Sequence, residues 1–245
     1  MRSWLENYWL MLKWQALSRR VILPLLVAIQ VMIAVGFVVG LGFLFPSVDP
    51  QTAKMLTTGA PTLILLTTGL VAAPQMIAMA RKEGTYDYIW SLPVPRMVFV
   101  AADVTIWIVV ALPGAVLAIV LGALYHDFQV QVSPLAIPAL LLIGATGTLL
   151  GYAVGHGAPK PEMAHVATQV LVFALMLFSP VLYPPSQLPG WLADIHSFMP
   201  VGYMAELTRG TLTDLPVDLG RSFVVVGAWC LGALAVTGLL IRRRA

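Results

Sequence analysis

Six stretches of the chain, near residues 21–45, 56–80, 97–124, 135–155, 164–183 and 222–241, are apolar over about the 20 residues a helix needs to cross a hydrocarbon core. Inside a bilayer no water is available to the backbone, so runs of this length fold as helices. The chain therefore reads as an all-α, polytopic membrane protein with six transmembrane helices. Of its 245 residues, 59% are hydrophobic and only 10% are charged, against about 25% charged in soluble domains. Such a composition cannot coat a soluble globule, and the polar gaps are too short for a sizeable extramembrane domain. Pro180, Pro184 and Pro185 crowd the end of the fifth run, where they would terminate or kink it.

Basic residues orient the bundle. With the N-terminus inside, the cytoplasmic parts hold Arg2, Lys13, Arg19, Arg20, Arg81, Lys82, Arg96, Lys160, Arg242, Arg243 and Arg244, and the outside holds Lys54, Arg209 and Arg221. That asymmetry places both termini in the cytoplasm. The same residues sit beside apolar runs and form no groove-lining cluster, so nucleic acid is not an expected partner. Cys230 is the sole cysteine, which excludes a disulfide framework and a cysteine-based metal site. Glu6, Lys13, Arg19 and Arg20 interrupt the first 20 residues, so no secretory signal is read there. Ten Arg against four Lys, with abundant Ala, Gly and Val, suggest a G+C-rich bacterium and hence its plasma membrane. Gly36, Gly40 and Gly42, and Gly144, Gly147 and Gly151, are expected to let helices of one bundle pack closely.

Residues 1–20 read as an N-terminal interfacial helix and residues 21–245 as a single membrane domain. Trp4, Leu5, Tyr8, Trp9, Leu12 and Ala16 share one face of the first segment, where aromatic rings suit the headgroup level and Arg19 and Arg20 can meet anionic lipid. Leu10 and Trp14 lie on the other side. The segment serves either as an anchor alone or as an anchor that also touches a cytoplasmic partner.

Residues 81–96 form a punctuated loop. Gly84 can close the preceding helix, Thr85 can cap a new one, Asp87 suits its first turn and Pro93 stops it. The result is a two-turn helix with Tyr86 and Trp90 on one side, suited to docking in a protein groove or to lying against lipid. The external stretch 180–212 is too apolar and proline-rich for an ordinary loop. Short broken helices dipping back into the membrane fit best, with Trp191 and Tyr203 at the outer interface. An aromatic-belt hairpin and a gate both remain open at this point.

Two motifs carry a resemblance. Glu83-Gly84-Thr85 followed by Leu92-Pro93-Val94-Pro95-Arg96 resembles the first cytoplasmic loop of ABC-2 type transporter permeases. Phe178-Ser179-Pro180 with Tyr183-Pro184, Leu188-Pro189 with Trp191, Pro200 with Tyr203, and Arg209-Gly210 is similar to the C-terminal signature of that family. One departure is Arg81-Lys82 before Glu83, where members commonly carry a second acidic residue. The resemblance implies a coupling helix in which Glu83, Gly84, Thr85, Leu92 and Pro93 match the family and Tyr86 and Trp90 are the aromatic anchors. It implies re-entrant helices forming an external gate that includes Pro180, Tyr183, Pro184, Leu188, Pro189, Trp191, Pro200, Tyr203 and Arg209. It also implies partners: two copies of a cytoplasmic P-loop ATPase carrying ATP and Mg, a second permease copy, identical or homologous, and membrane lipid. The implied activity is export of an amphipathic drug, lipid or glycan.

The chain itself has no Gly-x-x-x-x-Gly-Lys-Ser/Thr run for cradling phosphates, so no cofactor and no enzymatic role are expected on it. His126, His156, His165 and His196 lack ligand spacing, and no metal site is expected. Asp103 is the one carboxylate well inside a span, about two turns from its cytoplasmic end, with Gln30, Gln75 and Gln169 as polar companions. It reads as a structural residue, a substrate contact or a proton site. A proton-coupled carrier or channel switched by Asp103 is the alternative to the exporter.

Overall fold

The computed structural model describes residues 3–44, 49–182 and 188–243. Ten helices and no strand occur among them: α1 (Trp4–Ser18), α2 (Ile22–Leu44), α3 (Pro50–Lys82), α4 (Tyr86–Ser91), α5 (Arg96–Tyr125), α6 (Ala136–Gly157), α7 (Pro161–Phe178), α8 (Gly190–Phe198), α9 (Pro200–Leu212) and α10 (Leu219–Arg243). Six of these, α2, α3, α5, α6, α7 and α10, are long and apolar enough to cross a membrane. The protein is thus a multi-pass, all-α membrane protein with the spans its sequence announces.

Local chemistry explains where the boundaries move. α3 starts at Pro50 rather than near 56 because Asp49 caps it, accepting from the Gln51 and Thr52 amides at 3.1 and 3.0 Å. Pro50 then occupies a first-turn position whose N–H would have no partner anyway. The Thr52 hydroxyl also donates to Asp49, and these bonds hold the carboxyl below its usual range. α7 stops at Phe178 rather than reaching 183, because Ser179 precedes Pro180 and is driven into extended backbone, φ −92° and ψ 139°. At the far end of α3, Gly84 adopts φ +72°, which lets the Thr85 amide reach back to the Ala80 carbonyl at 3.0 Å and close the helix. That turn commits Thr85 otherwise than expected: its hydroxyl points to the same carbonyl, at 3.4 Å, and makes no capping bond to α4. α4 is also shorter than two full turns.

α3 is the hub, packing most extensively on α6 and then on α5, α7 and α9. Its seam with α6 is backbone against backbone. A methyl group at Gly147 would lie 2.5 Å from the Leu66 carbonyl oxygen, one at Gly151 would lie 2.5 Å from that of Gly69, and one at Gly69 would meet Thr148 at 2.2 Å. Gly144, Gly147 and Gly151 therefore pack within the bundle as expected. Gly36 and Gly40 do not: both face open space along α2.

α1 packs along α5. Its buried stripe is Met11 and Gln15, flanked by Tyr8 and Leu12, all turned toward α5. Tyr8 shares a hydrogen bond with Thr105 at 2.8 Å, and the Gln15 amide donates to the Phe99 carbonyl at 3.1 Å. Polar side-chain ends decide the rotation, since these two need partners once buried. Trp4, Leu5 and Trp9 are left on the exposed side.

One end of the bundle gathers Lys13, Arg19, Arg20, Arg81, Lys82, Arg96, Lys160, Arg242 and Arg243, while Arg2 and Arg244 lie outside the described residues. At this basic end Arg81 donates to the Ala158 carbonyl at 3.0 Å, Arg96 donates to that of Ile241 at 3.1 Å, and Lys82 pairs with Glu162 at 3.2 Å. Each tie joins helices distant in sequence. Replacing Gly147 by Ala should force α3 and α6 apart and lower the stability of the detergent-solubilised protein by about 1–3 kcal/mol. Gly36→Ala should leave its thermal midpoint unchanged, and equal midpoints for the two variants would refute the seam.

Candidate functional site

The basic end presents α4, and its own aromatic residues fix it in place. The Tyr86 and Trp90 rings meet edge-on at 5.9 Å and pack on His156 at 6.1 and 5.7 Å. Trp90 also meets Phe99 at 5.4 Å, and the Arg81 guanidinium sits 5.2 Å over the Tyr86 ring. The aromatic pair thus packs toward the bundle, because its rings gain burial against α5 and α6 that a solvent-facing helix would forgo. The outward face of α4 consists of Asp87, Tyr88 and Ser91, with Tyr88 64% exposed. Glu83, Gly84, Thr85 and Pro93 are exposed beside it, and Leu92 is half-buried. Leu10, Met11 and Trp14 of α1 and Leu92–Pro95 line an adjoining hollow of about 710 Å³.

Behind α4 lies a polar node that sequence reasoning saw only in part. Asp103 is 1% exposed. Its Oδ2 accepts from the Trp107 indole at 3.0 Å and from the Tyr152 hydroxyl at 2.7 Å, and Oδ1 pairs with the Arg19 guanidinium. Arg19 also lies 5.4 Å over the Trp107 ring. Expected to meet lipid, Arg19 instead neutralises a carboxylate, because an unpaired charge at that depth would cost several kcal/mol. One node joins the C-terminus of α1 to α5 and α6. Trp107 stands four residues from Asp103, a helical neighbour the spacing could have suggested; nothing local in the sequence links Arg19 or Tyr152 to it. Gln30 and Gln75 do not reach this node. They line a separate groove of about 460 Å³ between α2, α3, α5 and α7, together with Thr67 and Thr68.

Arg19, Asp103 and Tyr152 of the node line the floor of a cavity of about 260 Å³ beneath α4, whose walls include Trp14, Tyr86, Trp90 and Phe99, with Glu83 at its rim.

The opposite end is closed by α8 and α9. Met204 and Leu207 of α9 are fully buried in the main core, and Thr208 bonds Thr62 of α3 at 2.8 Å. Arg209, 4% exposed, donates to the carbonyls of Pro180 and Val181 just past the end of α7. Carbonyls freed by the proline break thus find a donor. Tyr203, expected at the outer interface, is buried: its hydroxyl donates to the Ser197 carbonyl at 2.9 Å and accepts from Arg221 at 3.0 Å. Pro180, Pro200, Tyr203 and Arg209 come together, whereas Pro189 and Trp191 stay exposed and Leu188 is half-buried. Tyr183 and Pro184 lie outside the described residues. Lys54 pairs with Asp214, holding that carboxyl below its usual range and tying α3 to the segment after α9.

Asp103→Ala would strand Arg19 and two buried donors. A loss of about 3–5 kcal/mol is expected, read from the unfolding midpoint in mixed detergent. Arg19→Met with Asp103→Leu, Trp107→Phe and Tyr152→Phe should recover most of it, because apolar groups need no partners. A single variant as stable as the parent would mean the node does not hold α1.

A comparison with curated proteins finds no match to this chain. A family model described as ABC-2 type transporter matches residues 6–213, spanning α4, the Asp103 node and the α8–α9 cap, and the chain belongs to that family as a membrane-spanning transport component.

Proposed function

We propose that this chain is the permease of an ATP-driven exporter, that α4 is its coupling helix, and that the basic end is cytoplasmic. The observation that carries the reading is the mounting of α4. A helix of six residues has little stability alone, yet this one is clamped from behind by Tyr86 and Trp90 and leaves Asp87, Tyr88 and Ser91 free. A push on that face would pass into α5 and α6 through Phe99 and His156 and into α3 through the Gly84 turn. The hollow between α1 and Leu92–Pro95 extends the same docking surface to Leu10 and Trp14.

ATP and Mg belong in this scheme to two copies of a cytoplasmic P-loop subunit. A second permease copy would cover α2 and α7, the least buried spans, and the groove between them offers Gln30, Thr67, Thr68 and Gln75 within apolar walls to an amphipathic drug, lipid or glycan. The α8–α9 cap would be the external gate, with the Arg209 bonds to Pro180 and Val181 broken on opening. The Arg-rich composition supports a bacterial plasma membrane. A carrier switched by a proton on Asp103 is less well supported, because that carboxylate already has three donors.

Co-expression with neighbouring ATPase genes tests the docking face. Tyr88→Glu should cut the co-purified ATPase at least about tenfold, the loss of roughly 1.4 kcal/mol or more expected from an interface anchor, while the permease melts as before. Full retention of the ATPase by this variant would remove α4 from the interface.

A further inference from the structure

The cavity beneath α4 has a chemistry that partner docking does not use. Trp14, Tyr86, Trp90 and Phe99 wall it, and aromatic faces attract cations. Cation–ring contacts already occur beside it: one face of Tyr86 in the lining carries the Arg81 guanidinium, and Arg19 of the lining lies over the Trp107 ring just outside the cavity. At the floor Arg19 and Asp103 cancel each other. The remaining charge in the lining is Glu83, exposed at the rim, whose carboxylate makes no hydrogen bond or ion pair among the described residues.

We propose that this cavity is a binding site for a lipophilic cation, an aromatic quaternary ammonium being the simplest member of the class. The apolar body would lie between the rings and the charge would stay at the wet rim beside Glu83, so that no cation need be fully desolvated. Phosphate-bearing ligands would meet the Glu83 carboxylate, and a sugar would leave its hydroxyls unpaired against the aromatic walls. The occupant would touch α1 through Trp14 and α4 through Tyr86 and Trp90, bridging the two elements that border the basic face. The site is formed by this chain alone and does not depend on the ATPase reading.

The test uses the full chain in phosphatidylcholine nanodiscs, with radiolabelled benzyltrimethylammonium followed by equilibrium dialysis and neopentylbenzene, its neutral isostere, as competitor. Saturable binding above that of empty nanodiscs is expected, weakened about fivefold by Glu83→Gln and about threefold by Trp14→Leu, which keeps apolar bulk but removes the π face. Both side chains are exposed, so the fold does not depend on either. Binding no greater than in empty nanodiscs, equal binding by parent and Glu83→Gln, or displacement by the neutral isostere as effective as by unlabelled cation would each overturn the proposal.

Discussion

The close approach of α3 to α6 governs the rest of the structure. Helices in a bilayer gain little from leaving lipid for one another, so they associate by shape and by polar bonds. Gly69, Gly147 and Gly151 allow these two backbones to touch. That contact makes α3 a hub, and because α3 runs from the Asp49 cap at one end to the Gly84 turn at the other, whatever bears on α4 also bears on the most extensively packed helix of the bundle.

The two charged groups buried at the ends, Asp103 and Arg209, are each answered from other elements. Asp103 gathers Arg19, Trp107 and Tyr152 from α1, α5 and α6, and Arg209 supplies the carbonyls that Pro180 leaves behind. Such bonds are selective as well as stabilising. They specify how α1 is rotated on α5 and where α9 seats among the spans, positions that apolar contact alone would leave degenerate. Under the proposed function both nodes become levers, one beneath the docking face and one at the exit.

The outward face of α4 and the cavity behind it are separated by a single layer of aromatic side chains. Tyr86 and Trp90 form that layer, walling the cavity and holding α4 from behind, which would make occupancy of the cavity and the position of the docking helix sensitive to each other.

Much of this was legible in order along the chain. Six apolar runs, a basic asymmetry, Gly84 before a short helix and a proline-rich segment after the fifth run specified the spans, the turn and the broken helices, because bilayer thickness and backbone sterics act locally. The pairing of Arg19 with Asp103, the inward turn of Tyr86 and Trp90, the burial of Tyr203 and the rotation of α1 were not legible. Each depends on which partner stands across a gap of many residues, as with the 84 between Arg19 and Asp103. Periodicity says that a face exists; only the packed structure decides what that face meets, since a buried polar or aromatic group settles where its bonds and contacts can be completed together.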